Sequence, residues 1–600
     1  MTMGFSEIEA DDATRILTLQ WEKAEAFEPR PGAAGEAAWV IRSWGPSRAA
    51  DAFADALRAA DPSVTLVRDD AAGTAAGTAA GIAAADPRYV FFVDETAPMA
   101  EVDLADDANW AWAHAVVRTC QEVAARPGSR VWLVTRTGLH GPGHSDTVRP
   151  EHDFVWAIGR CHATESADSW GGLVDVKVDD PRAAGDMLAA YLLSGSAEDE
   201  VLLHDDGPFV ARLTASELPP TDSGQGISMD RLHIVSGGAL GLSFEIERWL
   251  ARAGATRILV LGRSPLDADR GRNLRLLEGM GATVEYEVLD VGDPEQVRGL
   301  AIRLRERGES IGGVFHLASS WRLDGESCVA PLATATPEQT RVLLGAKASG
   351  ALLLADLAEG LGAEAMVLFS SAAATLGSPG QANYAAANAV LDGVARRLHG
   401  GRVRAVSLAW GPIGEVGFGA SREGADLHEV WERLGLKRLT VDRVLSTVTM
   451  ALSQDEPNLS VVAWDETALG ALPWFGQRPV LERLATAEPV GLSLDGLADL
   501  AGGERIRYIV DVIRGHLATM LGEAPADVDP DRPLVDLGLD SLMALELLFI
   551  VDREFAVSLE LHEVMVGMDA TLTTMATRLD ERIRVSPQSV LAADGTSGPR

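Results

Sequence analysis

Cysteine is scarce in this chain of 600 residues, which has only Cys120, Cys161 and Cys328. They are odd in number, widely spaced and without CxxC pairing, which argues for a reducing compartment and against structural zinc. His140, His144 and His152 share one loop but have no HExxH or cysteine context, so no metal is expected there. Basic charge is also short. The 52 Lys and Arg face 88 Asp and Glu, a net charge of −36, which disfavours nucleic-acid binding through phosphate neutralisation and attraction to anionic lipid. No charged-then-apolar leader opens the chain and no run of about eighteen apolar residues occurs, so a soluble, cytoplasmic protein is expected, with no membrane partner. At 47% hydrophobic and 23% charged residues the composition is globular, with chain enough for several domains.

The densest pattern lies at Phe369–Asp392, FSSAAATLGSPGQANYAAANAVLD. The apolar run Met366–Phe369 reads as a buried strand ending in Ser370 and Ser371, followed by a Gly/Pro turn and an alanine-rich helix. Tyr384 and Asn388 are four apart and share one face of that helix. A strand-end serine facing a helix-borne tyrosine suits proton transfer to a carbonyl or alcohol oxygen: hydroxyls bind the oxygen and the phenol passes the proton.

Upstream, residues 37–213 alternate strand-like runs (Ala38–Ile41, Val64–Val67, Tyr89–Val93, Val131–Val134) with helical stretches near 49–60 and 110–124. That alternation argues for an α/β unit with a parallel sheet. Its first strand runs into Ser43-Trp-Gly-Pro-Ser, which lacks the glycines that let a backbone approach a pyrophosphate, so this half reads as Rossmann-like without a cofactor loop. The segment 71–85 is low-complexity and carries no assigned role. Gly143-His-Ser145 begins like an acyl-transfer nucleophile but continues Asp146-Thr147 instead of closing with glycine, so it is not read as catalytic.

A polar linker, Pro219–Met229, precedes a second αβ unit. Here strand His233–Val235, the loop Ser236-Gly237-Gly238-Ala239-Leu240-Gly241-Leu242-Ser243 and a helix over 244–253 have the geometry that seats a pyrophosphate on a helix N-terminus. The next strand, Arg257–Gly262, ends in Arg263-Ser264, where a guanidinium suits a 2′-phosphate; this predicts NADPH. Beyond 485–493 the pattern turns all-helical. An amphipathic helix over 506–521 is followed by DLGLDSLMALEL, which places Ser541 at a helix N-terminus.

These motifs together resemble the short-chain dehydrogenases and, more narrowly, a ketoreductase plus acyl carrier protein didomain of a modular type I polyketide synthase. The general dehydrogenase pattern has lysine four residues after the tyrosine. This chain has Asn388 there, as polyketide ketoreductases do, and Lys347 in LLGAKASGALLL stands where their lysine is expected. The resemblance implies a catalytic set of Tyr384, Ser371, Lys347 and Asn388. It also implies a cofactor set of Ser236, Gly237, Gly238, Gly241, Arg263, Ser264, Asp290, Val291 and Ala318. Against the pattern TGxxxGxG, Ser236 replaces threonine and Ser243 the last glycine, while Ser319 stands at another usual glycine. Leu323-Asp324-Gly325, Pro379 and Asn383 lean towards one hand of the product alcohol. The segment 413–434 is expected to be a lid over the substrate.

The implied fold is α/β. A structural Rossmann-like subdomain (1–228) and a catalytic NADPH-binding subdomain (229–485) are followed by a linker (486–499), a small four-helix-type carrier domain (500–585) and a disordered tail (586–600). The implied activity is reduction of a β-ketoacyl thioester to a β-hydroxyacyl thioester. The implied cofactors are NADPH and a 4′-phosphopantetheine arm on Ser541, and the implied partners are condensing (ketosynthase) and acyltransferase components and a phosphopantetheinyl transferase. Within it, Lys347 is expected to lower the pKa of Tyr384, and Asn388 to hold Lys347 or a relay water. The competing reading is a reductase-silent scaffold that only presents and docks acyl chains, motivated by Ser243, Ser319 and the long interval after His316.

Overall fold

A computed structural model describes residues 14–44, 47–62, 64–70, 86–93, 107–136, 148–216, 226–420, 428, 431–432, 435–465, 478–484, 500, 502–521, 523–539, 541–555, 557, 559, 564 and 570–585. The segment 71–85, the His140–Ser145 stretch, residues 217–225 of the linker, 421–427 of the expected lid, 486–499 and 586–600 lie outside the described residues.

The first half opens with strands β1 (Thr14–Lys23) and β2 (Trp39–Ser43), helix α1 (Arg48–Ala60) and strands β3 (Leu66–Asp70) and β4 (Arg88–Val93). Helix α2 (Asp107–Ala124), β5 (Arg130–Arg136), α3 (Pro150–Glu165), β6 (Trp170–Lys177), α4 (Pro181–Ser194), β7 (Glu200–His204) and β8 (Gly207–Ala215) complete it. The strand expected at 64–67 begins two residues later, because Val64 N–H is tied to the Asp61 carbonyl in a turn (3.1 Å). The second half runs β9 (Leu232–Ser236), α5 (Gly241–Arg252), β10 (Arg257–Gly262), α6 (Ala268–Gly279), β11 (Thr283–Val288), α7 (Pro294–Glu306) and β12 (Ile311–His316). A short hairpin, β13 (Arg322–Leu323) and β14 (Glu326–Ser327), leads to α8 (Pro337–Leu344) and α9 (Gly350–Leu361). Then follow β15 (Ala365–Ser371), α10 (Ala372–Leu376), α11 (Ala382–Leu398), β16 (Arg404–Trp410), β17 (Leu436–Lys437), α12 (Val441–Ala451) and β18 (Asn458–Trp464). Local chemistry sets several helix starts: Asp180 and Asp293 cap α4 and α7 ahead of a proline, and Thr336 with Gln339 closes a capping box on α8.

Apart from the β13–β14 hairpin, the described strands of the two halves share one sheet. They form one sixteen-stranded sheet in the order β11-β10-β9-β12-β15-β16-β18-β1-β8-β7-β6-β5-β4-β2-β3, with β17 beside β18. Each half is parallel from β2 to β7 and from β9 to β16, and the strands between them are antiparallel, β18 to β1, β1 to β8 and β8 to β7. The buried strands read as continuous apolar runs, as expected where helices cover both faces of a parallel sheet. In the second half the strand order reverses between β9 and β12, and the crevice at their carboxyl ends is where an open α/β sheet binds ligands.

The tightest helix contact crosses the halves. Helix α3 lies on α11, the alanine-rich helix that carries Tyr384. A Cβ on Gly393 of α11 would come within 2.6 Å of Pro150 Cα, so the axes approach this closely only with small residues there. Three helices, α13 (Gly502–Leu521), α14 (Ser541–Phe555) and α15 (Leu572–Val585), enclose a separate core with Leu517, Leu547, Val551 and Leu579 fully buried. Most residues between α14 and α15 lie outside the described residues. Among the described residues no helix is long and apolar enough to cross a membrane.

Candidate active site

The crevice at the strand-order reversal opens into a cleft of about 870 Å³. Gly237, Gly238 and Gly241 form part of its wall, with Arg263, Ser264, Asp290, Val291 and Ala318 further along. Lys347, Ser371 and Tyr384 line the same cleft from three different elements. Ser236 and Asn388 are buried behind the wall.

The glycine loop is shaped for close approach. Gly237, Gly238, Ala239 and Gly241 all have positive φ (122°, 79°, 49° and 57°), which holds the turn between β9 and α5 in the left-handed region. A Cβ on Gly262 would meet Tyr286 Oη at 2.2 Å and Gly238 Cα at 3.0 Å, so the first two strand ends crowd together only without side chains. Ala239 N–H is held by the buried Glu247 carboxyl (3.3 Å), which burial pushes up to about 8. Ser243, in place of the usual glycine, turns its hydroxyl onto the Leu240 carbonyl (2.7 Å), so α5 starts without an unpaired polar atom at that site. This cradle at a helix N-terminus fits a dinucleotide pyrophosphate.

Ser236 is a structural link. Its hydroxyl accepts from Leu317 N–H (3.1 Å) and Ala318 N–H (3.3 Å) and meets His316 Nδ1 at 2.9 Å. The other ring nitrogen of His316, Nε2, donates to the Lys347 carbonyl (2.9 Å), which leaves Nδ1 as an acceptor for the serine proton. Burial holds this ring neutral, with its pKa pushed down to about 3. The glycine loop and the lysine segment are thereby joined through one imidazole.

Lys347 sits in a π-helical turn, Gly345–Ser349, between α8 and α9, a local widening often found where a side chain must be aimed. Its ammonium donates to the Phe369 carbonyl at the end of β15 (2.8 Å). Burial lowers its pKa to about 8, partly offset by Asp392. Tyr384 differs from expectation: burial raises its phenol, and the restraint on that rise comes from the neighbouring Ser371 hydroxyl and Asn388 amide. Lys347 is not among the groups that lower it, and its ammonium donates to the Phe369 carbonyl. Asn388 differs too. Its Nδ2 donates to the Tyr384 carbonyl (2.9 Å), while its Oδ1 is buried without a hydrogen-bond partner, so it does not accept from Lys347. Ser371 ends β15 and caps α10, accepting from Ala373 N–H (3.3 Å).

Sequence reasoning passed over several residues of the cleft. Arg270 lines it beside Ser264, and Tyr286 donates to the Ser264 carbonyl (2.7 Å). Trp321, Trp410 and Trp431 line the other end. The only signal for Arg270 was its place just after the second strand, in a helix begun by Asp267. Among the described residues no cluster of His, Cys, Asp or Glu could hold a metal ion. Cys120 and Cys161 are buried thiols pushed up to about 12, hence unreactive. Ser541 opens α14.

Residues 232–415 match the KR domain family, and residues 511–579 match the phosphopantetheine attachment site family. Fold and matches together define a short-chain-dehydrogenase-type α/β reductase joined to a carrier domain. More particularly, the chain is a ketoreductase–acyl carrier protein didomain of the modular polyketide synthase kind. It is similar to the polyketide synthase GfsA of Streptomyces halstedii (34% identical over 70% of this chain and 6% of that protein). It is also similar to the pikromycin polyketide synthase component PikAIII of Streptomyces venezuelae (33% identical over 70% of this chain and 28% of that protein). The chain therefore spans less than a third of these relatives' length. Among solved structures it resembles an A1-type ketoreductase (TM-score 0.66, 26% identity, 79% of this chain and 98% of that one). It also resembles a C2-type ketoreductase from a modular polyketide synthase (TM-score 0.62, 26% identity, 77% of this chain and 98% of that one).

Proposed function

We propose that the protein reduces the β-carbonyl of a carrier-bound β-ketoacyl thioester to the β-hydroxyacyl thioester, with NADPH as reductant and the acyl chain carried on phosphopantetheine at Ser541. The observation that carries this reading is the convergence of Lys347, Ser371 and Tyr384, from three separate elements, on the cleft that also contains the glycine loop. When bound, the nicotinamide supplies hydride to the β-carbon. Gly237, Gly238 and Gly241 would seat the pyrophosphate, and Arg263 would pair with the 2′-phosphate. Ser371 Oγ would hold the ketone oxygen, and Tyr384 Oη would donate its proton as that oxygen gains charge. A phenol with a raised pKa keeps its proton at neutral pH, as a donor must. Lys347 supplies positive charge to the cleft, and the unpartnered Oδ1 of Asn388 suits a water that resupplies the proton. The domain limits proposed are 1–228, 229–485 and 500–585, with condensing and acyltransferase activities supplied by other domains or chains.

The test is a Tyr384→Phe variant mixed with NADPH and a small β-ketoacyl thioester. NADPH fluorescence should still report binding while oxidation of NADPH falls to background. Substantial turnover in that variant would overturn the assignment.

A further inference from the structure

The reductase reading leaves one buried carboxylate without a task. Glu165 ends helix α3, in the half that has no glycine loop, and is only 6% exposed. Its Oε2 accepts from Leu332 N–H (2.7 Å), across 167 residues, and its Oε1 from Gly380 N–H (2.9 Å), across 215. Both donors belong to cleft-wall segments: Val329 and Pro331 line the cleft beside Leu332, and Ser378 to Gln381 line it around Gly380. The first segment is held from behind at two further points. Gln121 of α2 donates to the Leu332 carbonyl (2.8 Å) and the Ala335 carbonyl (3.1 Å). Asn383, next to Tyr384, accepts from Ala330 N–H (3.1 Å) and donates to the Cys328 carbonyl (2.7 Å).

Two N–H groups, each bound by a separate oxygen, are served best by a carboxylate; a protonated acid keeps one good and one weaker acceptor, and an amide keeps one. Burying that group is costly, and the two N–H bonds only partly offset the burial that pushes it up to about 8. Its geometry therefore ties one segment of the cleft wall to the other through a single side chain of the opposite half. We propose that Glu165 is a positioning residue for the acyl chain: it fixes the spacing between the 329–332 and 378–381 segments, and so which face of the ketone is presented. This rests on the reductase reading above. The first half then takes part in substrate orientation, beyond its role as a support.

The test uses the full chain with Glu165→Gln, which keeps the shape and loses one acceptor. KM and kcat for a small β-ketoacyl thioester, the enantiomeric ratio of the alcohol, NADPH affinity and melting temperature are measured together. KM should rise about tenfold, the cost of one charge-assisted hydrogen bond, and the enantiomeric ratio should fall while NADPH affinity stays unchanged. A lowered melting temperature with KM and enantiomeric ratio unchanged would overturn the proposal. Should that variant not fold, Gln121→Ala, which releases the same segment at its other anchor, must shift KM and enantiomeric ratio in the same direction, and no shift overturns it. Absence of turnover in the unaltered protein would sink the reductase reading, whereas turnover with no shift in the variants sinks only the role of Glu165.

Discussion

Arg478 and Glu200 form a buried ion pair, Nη2 to Oε1 at 2.6 Å, between residues 278 apart in the chain. Arg160 of α3 grips both oxygens of the same carboxylate, Oε2 at 2.8 Å and Oε1 at 3.0 Å, and Asp199 pairs with Arg478 Nε (3.3 Å). The two guanidiniums each keep a nitrogen for α10, Arg160 donating to the Ala374 carbonyl (3.1 Å) and Arg478 to the Leu376 carbonyl (2.8 Å). The short helix that follows Ser371 is thus anchored to the first half. Replacing Arg478 with methionine should cost about 3–5 kcal/mol, because it strips a buried carboxylate pair of one cation. Urea unfolding would measure this, and a loss below about 1 kcal/mol would mean the network contributes nothing beyond an exposed pair.

The lysine predicts a pH dependence. Burial holds Lys347 at about 8, so its ammonium is present below that pH and is lost as pH rises through it. Tyr384, raised by its burial, keeps its proton over the same range. The value of kcat/KM should therefore fall about tenfold per unit above pH 8. A Lys347→Met variant should show low activity without that limb. A flat profile for the unaltered protein up to about pH 10 would remove the lysine from the mechanism.

The proposed preference for NADPH rests on Arg263. Its guanidinium lines the cleft next to Ser264, with a 3.3 Å hydrogen bond to Ser320 Oγ. Arg263→Ala should raise the KM for NADPH at least about tenfold by removing a charge-assisted contact to the 2′-phosphate. The KM for NADH should not change. Equal effects on both nicotinamides would show that the arginine does not read the phosphate.

The carrier prediction is separable from the reductase. Incubated with coenzyme A and a phosphopantetheinyl transferase, the chain should gain the mass of one arm, and Ser541→Ala should gain none. That variant should still reduce a free β-ketoacyl thioester at the rate of the unaltered protein. Modification of the variant would move the attachment site elsewhere.

Local pattern made much of this molecule legible. The strand ending in Ser370-Ser371, the helix bearing Tyr384 and the glycine loop after Leu232–Ser236 are all read from short apolar runs punctuated by Gly, Pro and hydroxyl residues, which act on neighbours in the chain. The arginine at the end of the second strand is readable for the same reason. What could not be read are relationships that depend on distant segments meeting. Expectation turned Lys347 towards the tyrosine, and the folded chain engages it with the Phe369 carbonyl. Expectation gave Asn388 either Lys347 or a relay water to hold, and among the described residues its Oδ1 has no hydrogen-bond partner. The two halves looked separable by their linker, yet β1, from the start of the chain, lies against β18 and closes them into one sheet.

By itself, the order of residues determined which segments become strands and helices and which side chains hold a hydroxyl, an ammonium or a glycine turn, because those properties arise within a few residues. Tertiary structure alone decided that Glu165 reaches Leu332 and Gly380, that His316 ties Ser236 to the Lys347 carbonyl, and that burial pulls the lysine down while raising the phenol. Desolvation and hydrogen bonding across long stretches of chain exist only once the sheet has assembled, and no local pattern encodes them.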